Sequence, residues 1–270
     1  MIQDIFPEIL NIEYKPKAIK DDNMVFCFKD GKVLCNAESG DVFPLWKHIC
    51  GDGEYTYLFN LSGADCFLAR HDINVPAGFS FEDTSLFRSE IPRHLAFAGI
   101  TAQHINNWYK NNRYCGRCGQ IMEHDGKERM VKCLLCNNLV YPKIAPVIIV
   151  GVTDESRLLM TRYAGQEHRR YALVAGFIEV GESAEDAVRR EVFEETGIRI
   201  KNIQYYKSQP WGFSESLLFG FYAELDGSAK VTVDQNELSE AVWVEREDID
   251  VTLHNFSLTN EMICHFKGII

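Results

Sequence analysis

The segment from Gly176 to Ile198, Gly-Phe-Ile-Glu-Val-Gly-Glu-Ser-Ala-Glu-Asp-Ala-Val-Arg-Arg-Glu-Val-Phe-Glu-Glu-Thr-Gly-Ile, constrains the fold more than any other stretch of the chain. Ser183 with Asp186 makes a start like a capping box, and Gly197 supplies a C-terminal stop, so the pattern predicts a helix over 184–196. Phased at about 100° per residue, Glu191 and Glu195 fall on the same face as Ala184, Ala187 and Val188, with Phe193 nearly opposite. An acidic helix ordinarily turns its carboxylates to water and pairs them with Lys or Arg at i+4. Here two carboxylates line up with the small apolar positions that must face a sheet, and buried charge is too costly to keep without a cation. Glu194, one step around, can join them, and three carboxylates with no interleaved Lys suit a hard cation such as Mg²⁺ or Mn²⁺.

The sheet for that helix is predicted from the sequence on either side. Ala145 to Val152 is an apolar run interrupted only by Pro146 and Gly151 and reads as a buried strand. Leu158 to Tyr163 and Tyr171 to Val174 read as neighbouring strands, followed by a glycine-bounded loop at 176–181, and further strands are predicted near 202–208, 217–225 and 241–244. Upstream, residues 1 to about 95 read as β-rich. Asp30-Gly31 would turn one hairpin between 24–28 and 32–35, and Ser62-Gly63 another between 55–61 and 66–70. Apolar positions Leu95, Ala98, Ile105 and Trp108 allow a helix from Pro92 to Asn111.

That helix leads into Cys115-x-x-Cys118 and Cys133-x-x-Cys136, two pairs separated by 14 residues. This is zinc-ribbon spacing, in which four thiolates close a tetrahedral Zn²⁺ site and leave no position for a reacting water. A redox pair and a nucleic-acid-gripping ribbon are the alternatives. The second would want basic fingertips, whereas Lys127, Arg129 and Lys132 are offset by Glu123, Asp125 and Glu128. Cys27, Cys35, Cys50, Cys66 and Cys264 lack ligand spacing and are expected to be buried packing residues.

A formal charge of −11 argues against binding nucleic acid through the general surface, so any anionic substrate must be met locally by a few basic side chains or by bound metal. The first ten residues contain Asp4, Pro7 and Glu8 and do not read as a secretory signal, and no apolar run is long enough to span a membrane. The expectation is a cytoplasmic protein.

The 23 residues from Gly176 match GX5EX7REUXEEXGU, where U is a bulky aliphatic residue, at every fixed position, and so resemble the signature of the Nudix hydrolases. The resemblance implies an α+β chain with three parts: a β-rich, Nudix-like N-terminal domain over 1–110, a zinc ribbon over 111–142, and a catalytic Nudix α/β/α sandwich over 143–270. It implies hydrolysis of a nucleoside diphosphate linked to another moiety. Glu191, Glu194 and Glu195 would hold Mg²⁺ or Mn²⁺, one of the last two would activate the water, Arg190 would orient them and Glu182 would brace the loop. Ala175, through its backbone oxygen, and Glu237 would complete the metal site. The segment Ser208-Gln209-Pro210-Trp211-Gly212-Phe213-Ser214-Glu215-Ser216 is similar to the SQPWPFPxS motif of the NADH pyrophosphatase subfamily, with Gly212 and Ser214 in place of two prolines. Those glycine and serine replacements should loosen the loop.

In that subfamily the segment shapes the dinucleotide pocket. The resemblance adds Arg88, Glu128, Tyr141, Phe177 and Thr259 on the substrate side, Thr259 standing where the family usually has Ala. The implied reaction is cleavage of NADH or NAD⁺ to nicotinamide mononucleotide and AMP by a homodimer, with removal of an NAD cap from RNA as a related reaction. An ADP-ribose or nucleotide-sugar pyrophosphatase is the enzyme alternative, and a nucleotide sensor on the same fold is the non-catalytic one.

Overall fold

A strand buried on both faces needs apolar side chains at successive positions, and Ala145–Asp154 supplies them. Ile148, Val150 and Val152 are buried in one apolar cluster, whereas Ile149, with Val147 beside it, joins a second cluster on the opposite face. The computed structural model describes the chain except for residues 37–40, 50, 52, 89, 166–170 and 252–255. In it this strand is the centre of a six-stranded sheet in the order Ile200–Trp211, Ser216–Leu225, Ala145–Asp154, Arg157–Tyr163, Leu238–Glu245, with Val174–Phe177 also paired to the central strand. Ser216–Leu225 runs parallel to the central strand and the other pairings are antiparallel.

One helix covers each face. Ala184–Thr196, the signature helix, contributes Ala187, Val188 and Val192 to the first cluster. Leu258–Lys267 contributes Leu258, Met262, Ile263 and Phe266 to the second. The result is the α/β/α sandwich expected from the sequence. Both helices are stopped as their sequences dictate: Ser183 accepts from the Asp186 N–H and Gly197 sits at φ 69°, and Ser257 accepts from the Asn260 N–H with Gly268 at φ 80°. The second helix was not among the predicted elements.

The sheet is splayed where the site forms. The central strand pairs with Val174–Phe177 over Val147 to Val150, but with Arg157–Tyr163 only at Thr153 and Asp154. The predicted strand at 171–174 is therefore displaced: the ladder begins at Val174 and takes in Gly176 and Phe177, which the glycine signal had placed in a loop. Upstream of it, Ala172 makes an isolated bridge to Thr161. Pairing with the buried central strand outweighs the turn preference of a single glycine.

The chain divides into two units, Ile2–Lys143 and Ile144–Ile270 together with Met1. The first contains a four-stranded sheet, two three-stranded sheets and the long helix Arg93–Asn111. Its second predicted hairpin forms between Tyr55–Leu61 and Ala64–Ala69. The first is corrected: Phe28–Lys29 pairs with Lys32–Val33, but Met24–Phe26 runs parallel to Cys66–Leu68 in the other sheet, where Val25 and Phe26 are wholly buried. Cys27, Cys35, Cys66 and Cys264 are buried, and Cys50 lies outside the described residues. Among the described residues, no helix is long and apolar enough to cross a membrane.

Leu158 is fully buried in the cluster under the last helix. Leu158→Ala should cost about 2–5 kcal/mol of unfolding free energy. Urea denaturation checks this, and a loss below about 1 kcal/mol would show that this face of the sheet is not a packed core.

Candidate active site

The signature helix delivers its acidic residues in two sets. Glu191 and Glu195 are buried on the sheet side with Ala187 and Val188, and Phe193 is 53% exposed on the other. Glu237, just before the strand Leu238–Glu245, meets the first pair, so that Glu191, Glu195 and Glu237 each offer an oxygen within 4.8 Å of the others. The loop carrying Glu237 is tied to the end of the signature helix, because Asp234 N–H donates to Glu195 O at 3.0 Å and Thr232 N–H to Thr196 O at 2.8 Å. Glu194 lies outside this trio, with its side chain exposed.

Arg190 is the hub between loop and helix. Its Nε and Nη2 donate to the two oxygens of Glu182, each at 2.8 Å. Nη1 donates to Glu191 at 2.8 Å and to Glu194 at 3.0 Å, and Nη2 also donates to the Phe177 carbonyl at 3.0 Å. Hydrogen bonds from Arg190 hold the Glu182 carboxyl down to about 2, and Glu182 Oε2 accepts from the Glu179 N–H at 3.1 Å, which fixes the loop.

Burial acts the other way on the trio. It raises Glu191, against the pull of Arg190, and pushes Glu195 up to about 8, helped by the charges of Glu191, Glu237, Asp234 and Glu194. Glu195 is 2% exposed and its Oε2 has no hydrogen-bond partner among the described residues. A buried carboxylate oxygen facing two further carboxylates is a hard-oxygen donor set suited to a divalent cation. Gly176 clears the space beside it, since a Cβ there would lie 2.0 Å from the Glu191 carboxyl carbon. Ala175 precedes that glycine, paired with Ile149. Two neighbours escaped the sequence reading: Asp234, and Tyr163, whose hydroxyl is raised to about 12 by burial and by the three carboxylates. The Asp234-x-x-Glu237 spacing was the available signal for the first.

The four cysteines converge as well. Their sulfurs lie within 4.8 Å of one another, with Cys115 to Cys136 at 3.5 Å, Cys118 to Cys133 at 3.4 Å and Cys118 to Cys136 at 3.5 Å. A tetrahedron with metal–sulfur bonds of ~2.3 Å has edges of ~3.8 Å, so the geometry fits one four-coordinate ion.

The ring-bearing segment lies on the other face of the same sheet end. Gln209 pairs with Leu218, Leu218 with Val147, and Val147 with Phe177, so one row crosses four strands. At strand spacings of about 4.8 Å the row spans about 14 Å. Phe177 is 56% exposed at its edge. Pro210 is exposed, and Trp211 is half-buried beside a tight turn over Gly212–Ser214. The Trp211 and Phe213 rings meet at 4.9 Å, tilted by 51°. Glu215 is left-handed at φ 56° and its carbonyl accepts from Ala145 N–H at 2.9 Å. Ser216 is buried, with its Oγ 3.0 Å from that of Ser214. Thr259 is half-buried in the first turn of the last helix. Gln209 is wholly buried, and its amide is engaged by that helix. Arg88, Glu128 and Tyr141 are exposed residues of the first unit, and the Tyr141 hydroxyl donates to Glu128 at 2.7 Å.

Residues 142–263 match the NUDIX domain. The chain is 38% identical over 180 residues to the NAD-capped RNA hydrolase NudC of Salmonella typhi, and the match covers 67% of this chain and 66% of that protein. The NudC of Salmonella heidelberg matches at the same identity and coverage. The chain carries a NUDIX domain. The chain thus spans just under two thirds of the length of these NudC relatives. The crystal structure of a NUDIX hydrolase from Nitrosomonas europaea shares the fold, with a TM-score of 0.50 at 19% identity over 58% of this chain and 91% of that one.

The NUDIX carboxylates make stability depend on pH. The Glu195 carboxyl rises from an ordinary 4.5 to about 8 on folding. The folded state then keeps a proton that the unfolded state releases, so stability without added divalent cation falls as pH climbs from about 4.5 to about 8. Glu195→Gln carries no such charge. Its melting temperature should gain on the wild type throughout that window and hold a constant lead above it. A difference that does not widen between about pH 5 and 8.5 would refute this account of the buried carboxylate.

Proposed function

We propose that this NUDIX protein hydrolyses the diphosphate of NADH or NAD⁺, giving nicotinamide mononucleotide and AMP, and that it accepts the same diphosphate as the cap of an RNA. The observation that carries this reading is a single sheet end with the Arg190-braced carboxylates on one face and Phe177, Trp211 and Phe213 on the other. The NudC relatives, NAD-capped RNA hydrolases by name, support it. A dinucleotide needs both features: charge at the diphosphate, and aromatic faces for its rings.

Glu191, Glu195 and Glu237, with the Ala175 carbonyl and Glu194 from the signature, would hold Mg²⁺ or Mn²⁺. The bound ion supplies positive charge at the diphosphate oxygens and lowers the pKa of water. Arg190 keeps the Glu191 and Glu194 carboxylates aimed, and Glu182 holds Arg190. Water adds to one phosphorus as the bridging P–O bond breaks, and the proton goes to a carboxylate of the Glu194–Glu195 pair. The rings of Phe177, Trp211 and Phe213 would orient the bases, with Pro210, Gly212, Ser214, Glu215, Ser216 and Thr259 shaping the wall. Arg88, Glu128 and Tyr141 are read as substrate-side residues of the first unit. The reading carries with it a cytoplasmic homodimer, as the family resemblance implies.

A second reading, cleavage of ADP-ribose, is favoured by Gly212 and Ser214, which depart from the dinucleotide motif. Parallel incubation with NADH, NAD⁺ and ADP-ribose in Mg²⁺ or Mn²⁺ separates the two. We expect nicotinamide mononucleotide and AMP as products, NAD(H) preferred over ADP-ribose, and a loss of at least ~100-fold in kcat for Glu195→Gln. Preference for ADP-ribose would move the reading to that substrate, and absence of turnover would leave a nucleotide sensor.

The cysteine cluster is read as a structural Zn²⁺ site. Purified protein should then contain one zinc per chain, and Cys133→Ser should lose it together with thermal stability. A zinc-free wild type with full stability would remove the metal from the account.

A further inference from the structure

The motif that resembles SQPWPFPxS has lost two of its three prolines, yet its loop is tightly built, and the residue that builds it comes from elsewhere. Phe256 stands just before the last helix. Its ring lies 5.7 Å from Trp211 and 5.9 Å from Phe213, closing a triangle with the 4.9 Å contact between those two. Phe256 is itself anchored. Gln209 Nε2 donates to the Phe256 carbonyl at 3.0 Å, and Leu258 N–H donates to Gln209 Oε1 at 2.7 Å. The fully buried amide thus spends a donor and an acceptor on two main-chain groups flanking Ser257, the cap of the last helix.

Proline would fix φ at positions 212 and 214 through the covalent chain, whereas glycine and serine leave those torsions free. A ring packed against both Trp211 and Phe213 restrains the same turn from outside. We propose that Phe256, held by Gln209, is a positioning residue that takes over the task of the missing prolines, setting the orientation of Trp211 and Phe213 and with it the selectivity for a dinucleotide. The inference rests on the dinucleotide reading for its substrate, but its structural core does not.

The test uses Phe256→Ala, with Phe256→Leu as a milder second variant should the first fold poorly. Each is read by NADH kinetics and by hydrogen exchange of the amides from 211 to 216. Loss of two ring contacts should raise KM about 10-fold with kcat changed by no more than about 2-fold, and amide exchange in the loop should accelerate. Gly212→Pro is the rescue. Position 212 opens the turn, and Trp211 before it, at φ −125° and ψ 80°, lies outside the helical region that a following proline disfavours. Placed in the Phe256→Ala background, it should restore KM and slow exchange toward wild type. A raised KM with unchanged exchange and no rescue would overturn the proposal in favour of direct stacking on substrate, and an unchanged KM would overturn it outright. If wild-type protein does not cleave NADH, the dinucleotide reading falls on that result alone. Exchange then decides the clamp: acceleration reversed by Gly212→Pro sustains it, and no change refutes it.

Discussion

Arg190 is the residue on whose hydrogen bonds the NUDIX unit turns. One guanidinium binds Glu182 through two nitrogens, reaches Glu191 and Glu194, and caps the Phe177 carbonyl at the end of the edge strand. Loop, helix and strand are therefore fixed relative to one another by a planar fork whose geometry lysine could not reproduce. The arrangement also divides the acidic residues by environment. Glu182, bonded twice, is held strongly ionised, while Glu195, out of reach of the fork and buried, resists ionisation. Proteins retain a buried carboxylate of that second kind where a cation is to be met.

Much of this is legible in the sequence. The phase of the helix placed Glu191 and Glu195 inward and Phe193 outward because a helix of 13 residues with a serine cap and a glycine stop has little freedom to rotate. The central strand was legible because its apolar residues are continuous. The paired cysteines were legible because ligand spacing is local. Each of these signals is carried by residues close together in the chain.

What was not legible depends on pairing between distant segments. Nothing in Met24 to Phe26 announces that it will leave its neighbour Phe28 and run beside Cys66 to Leu68. The glycine of Val174–Phe177 reads locally as a turn, and only the ladder with Val147 to Val150 makes it a strand. Glu194 is adjacent to Glu195 in sequence, but the helix turns it about 100° toward solvent and Arg190. Asp234, Tyr163 and Phe256 enter the picture only through contacts across 39, 32 and 45 residues or more, from Glu195, Glu195 and Trp211 respectively.

The two faces of the sheet end also separate two demands. Side chains at successive positions of a strand point to opposite sides, so Gly176 clears room for Glu191 on one face while Phe177 lies in the row of Val147, Leu218 and Gln209. The carboxylates and Arg190 form a set of coupled hydrogen bonds and charges in which almost any change is costly. The rings form a packed cluster held by van der Waals contact and one amide clamp, which tolerates exchange of one stiffening device for another. That difference in tolerance explains how the motif around Trp211 can give up prolines at 212 and 214 while the signature from Gly176 to Ile198 keeps every fixed residue.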